Sequence, residues 1–198
     1  MKPLNILAIG NSFSHDAFVY LQKIFQSAGI AVKTVNLSIG GCSLETHWEN
    51  AKADKRDYLY GLNGVETERL VSIREVLGEE KWDKIAFQQA SHLSGLRESY
   101  FPHLAHLSGY IHEASPDAEQ LVHQTWAYET DSEHPGFAVY ENSQEKMYNA
   151  LCKAYRHAAS VLGARLIPAG EVIQRLRTTP EFDYSRGGRS LCRDGFHL

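Results

Sequence analysis

The sequence predicts an α/β protein in which a parallel sheet of five strands is covered by helices on both faces. Three observations carry this. Short apolar runs recur along the chain, each stopped by glycine or by small polar residues. Segments with apolar residues at helical spacing fall between them, and this alternation is the pattern of parallel strands joined by helical crossovers. At 198 residues and 43% hydrophobic content the chain is long enough for one sizeable core and short for two, so a single domain is expected over residues 1–198.

The elements follow in order. Residues 4–10 form a nearly all-apolar run, as expected of a strand buried on both faces. Residues 16–28 carry Phe18, Val19, Leu21, Ile24 and Phe25 at helical spacing and stop at Gly29. Residues 31–39 read as a second strand, closed by Gly40 and Gly41, and residues 50–64 as a polar surface excursion. A helix is expected over 66–77, a strand over 82–88, and a helix over 97–114 with Pro102 near its start. The fourth strand is expected at 120–126 and the longest helix at 141–162, ended by Gly163. A short strand at 165–168, a helix at 171–177 and a terminal loop complete the chain.

Composition narrows the function. A formal charge of −4 with scattered Lys and Arg leaves no electrostatic footprint for nucleic acid or an anionic membrane. No apolar run approaches the length that spans a bilayer. The first strand follows Met1 almost at once, leaving no room for a signal peptide, so a cytoplasmic protein is expected. Cys42, Cys152 and Cys192 are odd in number and widely spaced, which fits a reducing compartment and no disulfide framework.

Open parallel sheets bind ligands beyond the carboxyl ends of their strands. After the first strand stands GNSFS, where Ser12 sits on a sharp turn and Ser14 suits a helix N-cap; both also read as plain turn residues. After the second comes SIGG, whose glycines let a backbone N–H approach an anion, as an ordinary tight turn also would. The third ends in FQQASH, an unusual pair of amides at the end of an apolar strand. The fourth leads to Trp126 and Tyr128, which suit either stacking on a sugar or half-buried packing. The C-terminal DGFH places Asp194 three residues before His197, a spacing that lets a carboxylate orient an imidazole. His103, His106 and His112 lie on a helix without a carboxylate cluster and read as surface histidines rather than metal ligands.

In that order, these blocks resemble the SGNH, or GDSL-type, hydrolase superfamily. GNSFS stands where the family has GDSLS, SIGG matches its second block, and DGFH its last. The third block departs: Ala90 of QQAS replaces the family's Asn, and the stretch is closer to the carbohydrate acetylesterase branch, where a glutamine supplies the donor. The resemblance implies a flavodoxin-like three-layer sandwich and a serine esterase acting on a short acyl, first of all an acetylated carbohydrate. It implies Ser12 as nucleophile, His197 as base and Asp194 as its orienter. The oxyanion hole would comprise the N–H groups of Ser12 and Gly41 and the amide of Gln88, with Gln89 as fallback. Trp126 and Tyr128 would meet the sugar, and no metal or cofactor would be required. An inactive carbohydrate-binding protein is the competing expectation. Family members also continue into a helix after the histidine, and the stop at Leu198 leaves His197 without that anchor.

Overall fold

The structure, a computed structural model, describes residues 3–198. Strand β1 (Leu4–Gly10) is buried along nearly its whole length and leads into two short helices, α1 (Ser12–Phe18) and α2 (Leu21–Ser27). Strand β2 (Val32–Ser38) and helix α3 (Leu44–Ala53) follow, then β3 (Tyr58–Leu62), β4 (Val65–Val71) and helix α4 (Ile73–Glu79). The second half holds β5 (Lys84–Phe87), α5 (His103–Ala114), β6 (Glu119–His123), α6 (Gln144–Leu162), β7 (Arg165–Ile167) and α7 (Ala169–Leu176).

These strands make one seven-stranded sheet in the order β4-β3-β2-β1-β5-β6-β7. The five expected parallel strands are its body, β2-β1-β5-β6-β7, and an antiparallel hairpin, β3-β4, extends it beyond β2. The α/β expectation holds, with two strands more than the sequence predicted. Of the helix expected over residues 66–77, the first half as far as Val71 is therefore strand and only the part from Ile73 is helix, and the surface excursion contains the end of α3 and all of β3. The hairpin turns at Asn63 and Gly64, both with positive φ (53° and 81°), the geometry that suits the twist of paired strands and favours Asn-Gly. Its tip explains why residues 16–28 are not one helix. A Cβ on Gly64 would stand 2.5 Å from the Val19 carbonyl oxygen, so the turn presses into the junction of α1 and α2.

Burial alternates along β1 as the pleat requires. Leu7 and Ile9 enter the larger core, against the buried faces of α3, α4, α5 and α6. Ile6 and Ala8 face the smaller one, with Phe18, Leu21 and Phe25 of α1 and α2. Each fully buried Leu or Ile contributes roughly 1.5–3 kcal/mol, and the larger cluster places most of that stabilisation on one face. No helix among the described residues is long and apolar enough to cross a membrane.

Candidate active site

The sheet brings the ends of β1 and β2 side by side, with Gly10 paired to Ser38 and the Ile39 N–H donating to the Gly10 carbonyl at 3.2 Å. Asn11 then caps α1: its Oδ1 accepts from the Phe13 N–H at 3.1 Å. The expected cap, Ser14, lies inside the helix instead, buried, its hydroxyl donating to the Asn11 carbonyl at 2.7 Å. Gly10 is required for this packing, since a Cβ there would stand 2.6 Å from Ser14 Oγ. Ser12 occupies the first helical position, half-buried, where a backbone N–H has no partner within the helix. Its hydroxyl makes no hydrogen bond among the described residues.

The same Asn11 side chain ties the two turns together, its Nδ2 donating to the Cys42 carbonyl at 3.1 Å. That turn is closed by Cys42 N–H on Ile39 O at 3.1 Å, and Gly41 within it is exposed with φ +65°, a left-handed conformation that favours glycine. An unhindered backbone amide thus sits one tie away from Ser12.

Gln88 proves to be a brace. With Asn11 Oδ1 already an acceptor, Gln88 Nε2 donates to it at 2.6 Å, and Gln88 Oε1 accepts from His123 Nδ1 at 2.8 Å. One amide hydrogen is committed and the residue is 2% exposed, so its side chain is not the open oxyanion donor the sequence suggested. Gln89 is no substitute: its Oε1 accepts from the Leu44 and Ala90 N–H groups, and its Nε2 donates to Ser99. Burial lowers the pKa of His123 to about 4 and that of His47 to about 3. Both are neutral when folded, while the unfolded chain takes up protons below about pH 6.5. Their contribution to stability is complete above that pH and is lost as pH falls toward 4 and 3. The urea midpoint should therefore fall steadily below pH 6.5, less steeply in His123→Asn; a flat midpoint from pH 7 to 4 would contradict this.

At the far end of the chain, Asp194 Oδ2 accepts from His197 Nδ1 at 2.7 Å and Oδ1 from the His197 N–H at 2.8 Å. Desolvation raises the Asp194 pKa, but these bonds, with that from the Phe196 N–H, outweigh it and hold the carboxyl below its usual value. His197 Nε2 makes no hydrogen bond among the described residues. The imidazole ring lies 5.7 Å from the ring of Phe13, the neighbour of Ser12.

Within the described residues the segment around His197 is held by several contacts. The buried Asp16 carboxylate, one turn after Ser12, accepts from the Leu198 N–H at 3.1 Å and from Arg193 at 2.9 Å. Trp126 Nε1 donates to the Phe196 carbonyl at 2.8 Å, and the Glu129 N–H to that of Gly195 at 2.7 Å. These anchors come from α1 and from the segment after β6. Sequence reading missed Asp16 and Glu129 because each partner lies far along the chain.

A family model described as a domain of unknown function, DUF4886, matches residues 5–198. The chain belongs to the DUF4886 family. A solved DUF4886 family protein from Bacteroides uniformis is 40% identical with a TM-score of 0.91, and all of this chain covers 76% of that one. A candidate SGNH hydrolase from Slackia heliotrinireducens is 21% identical, TM-score 0.63, with 99% of this chain matched to 90% of that one. The acetylxylan esterase Axe2 from Geobacillus stearothermophilus, as a catalytic mutant, is 12% identical at TM-score 0.54, with 95% and 87% covered. This DUF4886 chain therefore has the fold of the SGNH hydrolases. No curated protein matches its sequence.

Trp126 and Tyr128 do not face a ligand in it. Trp126 is 1% exposed and stacks on Phe13 at 4.4 Å. Tyr128 is 0% exposed, its hydroxyl 2.8 Å from Ser91 Oγ and its ring against Phe137 and Phe196. Both build the wall behind the site. Cys42 and Cys192 are near it too, but burial pushes their thiols up to about 12 and about 11, so neither supplies a thiolate at neutral pH. Among the described residues no three His, Cys, Asp or Glu side chains converge as metal ligands.

Proposed function

We propose that this protein is a serine ester hydrolase that removes a short acyl group, acetyl above all, from a carbohydrate or another small ester. The observation that carries the reading is the docking of the Asp194–His197 pair against the helix that begins with Ser12, through Asp16 and the Phe13 ring. The fold shared with SGNH hydrolases, Axe2 among them, supports it.

In this scheme Ser12 Oγ attacks the ester carbonyl and His197 Nε2 takes its proton. Asp194 holds the Nδ1–H and stabilises the imidazolium that forms. The oxyanion is received by the N–H groups of Ser12 and Gly41, each such donor typically worth roughly 10²–10³ in rate. Gln88 acts behind them, keeping Asn11, and with it both turns, in place. His197 then protonates the leaving alcohol, and a water deprotonated by the same imidazole releases the acid and restores Ser12.

A fluorophosphonate probe tests this directly. The expected result is a covalent adduct on the peptide carrying Ser12, with hydrolysis of p-nitrophenyl acetate blocked in proportion to labelling. Hydrolysis that continues with Ser12 fully labelled would overturn the assignment. Neither labelling nor turnover would favour a carbohydrate-binding protein on this fold.

A further inference from the structure

The groups beside His197 point to where the alcohol half of the ester lies. In the scheme above His197 hands its proton to the leaving alcohol, so that oxygen comes to Nε2 and the rest of the alcohol meets whatever neighbours the ring. Phe13, backed by Trp126, is one such neighbour. From a second neighbour a row of rings leads away: Phe196 at 4.2 Å from His197, His134 at 5.0 Å from Phe196, and His92 at 6.1 Å from His134.

Resting on the esterase reading, we propose that His134 and His92 form the subsite for this alcohol and select alcohols that carry further hydroxyl groups, as a sugar does. The two imidazoles are brought together by a local device. His134 precedes a 3₁₀ turn (Pro135–Tyr140) that packs on the turn holding His92, and a Cβ on Gly136 would collide with that of His92. The Gly136 N–H donates to His134 Nδ1 at 3.0 Å, which places the imidazole proton of neutral His134 on Nε2. That Nε2–H has no acceptor among the described residues, neither ring nitrogen of His92 has a partner, and both residues are only half-buried. Burial lowers both pKa values, and the charges of His92 and His197 lower that of His134 further. Neutral imidazoles donate at one nitrogen and accept at the other, which matches a hydroxyl group and offers no charge to an anion.

Sequence reading passed over both residues. Their only signal is position: His92 follows the third-strand block and His134 opens a His-Pro-Gly turn after the fourth.

The experiment compares two acetyl esters that share an acyl group and differ in alcohol: p-nitrophenyl acetate and a mono-acetylated methyl glycoside. In His134→Asn the new carboxamide oxygen can still accept from Gly136 N–H, a role Asn favours, but it falls short of the open side. The ratio of kcat/KM for the glycoside ester to that for the aryl ester should fall about tenfold, the worth of one lost hydrogen bond, with the loss carried in KM. His92→Phe keeps a ring of similar shape and should lower the ratio in the same direction. An unchanged ratio in both variants would overturn the subsite while leaving the esterase standing. Calorimetry on a Ser12→Ala chain gives a second readout that needs no turnover. Glycoside-ester binding weakened about tenfold by His134→Asn supports the subsite even if the intact chain hydrolyses nothing, which would sink the esterase reading alone.

Discussion

Ser12→Ala will lower kcat on p-nitrophenyl acetate by at least about 10³-fold and leave the fold intact. Removing the nucleophile of a serine hydrolase costs up to roughly 10⁶ in kcat, and the background reactivity of an aryl ester limits how much of that loss is visible. The structural effect should be small. The Ser12 hydroxyl makes no hydrogen bond among the described residues, so its removal leaves no buried partner unsatisfied. The cap of α1 is Asn11, which the substitution does not touch. Thermal midpoints of the two chains should therefore agree to within the change of about 0.5 kcal/mol usual for a substitution outside the core. Asn11→Ala is the informative contrast. It removes the helix cap, the tie to Cys42 and the acceptor for Gln88 together, so it should lower stability as well as rate. Activity in Ser12→Ala above a tenth of the original would mean that another group is the nucleophile, with Ser14 excluded by its burial inside the helix.

The parallel body of the sheet was legible because a strand buried on both faces tends to be apolar throughout, and β1 nearly is, while β2 keeps Val32, Val35 and Leu37 among its polar residues and is closed by the Gly40-Gly41 stop. The hairpin was not, for the complementary reason. Six of the seven residues of β4 are exposed, so VETERLV carries no alternation, and its Glu and Arg favour a helix when judged by propensity alone. The one local signal, Asn63-Gly64, was the turn itself. At the site, residue type and block order pointed to Ser12, Gly41, Asp194 and His197. What spacing does not give is the direction in which a side chain points. Gln88, Trp126 and Tyr128 stand at strand ends as expected, yet all three turn inward, the first to Asn11 and His123, the others into the wall behind Phe13 and Phe196.

Glu129→Ala should lower the free energy of unfolding by about 3–5 kcal/mol, the usual cost of removing one partner from a buried ion pair. Glu129 and Arg177 have side chains only 3% and 4% exposed, with Arg177 Nε 3.6 Å from Glu129 Oε2. The carboxylate also accepts from Gln144 Nε2 at 2.8 Å and Ser190 Oγ at 3.0 Å, while the guanidinium donates to the Ala127 carbonyl at 2.9 Å and lies 3.3 Å from Cys192 Sγ. Truncating Glu129 would leave the Arg177 charge enclosed with no counter-charge at that distance. In a chain of this size such a loss lowers Tm by on the order of 10 °C, measurable by calorimetry. The pair does more than stabilise, because the backbone of Glu129 holds Gly195 and the side chain of Arg177 grips the stretch that leads to Asp194. Activity should therefore fade at temperatures below the unfolding midpoint of the variant, as the terminal segment loosens first. Glu129→Met with Arg177→Met separates charge from shape: removing both ions together should recover most of the lost stability, since the desolvation cost of each disappears with it. A double variant no more stable than Glu129→Ala would show that the hydrogen bonds to Ser190, Gln144 and Ala127, rather than the enclosed charges, hold the terminal segment against the site.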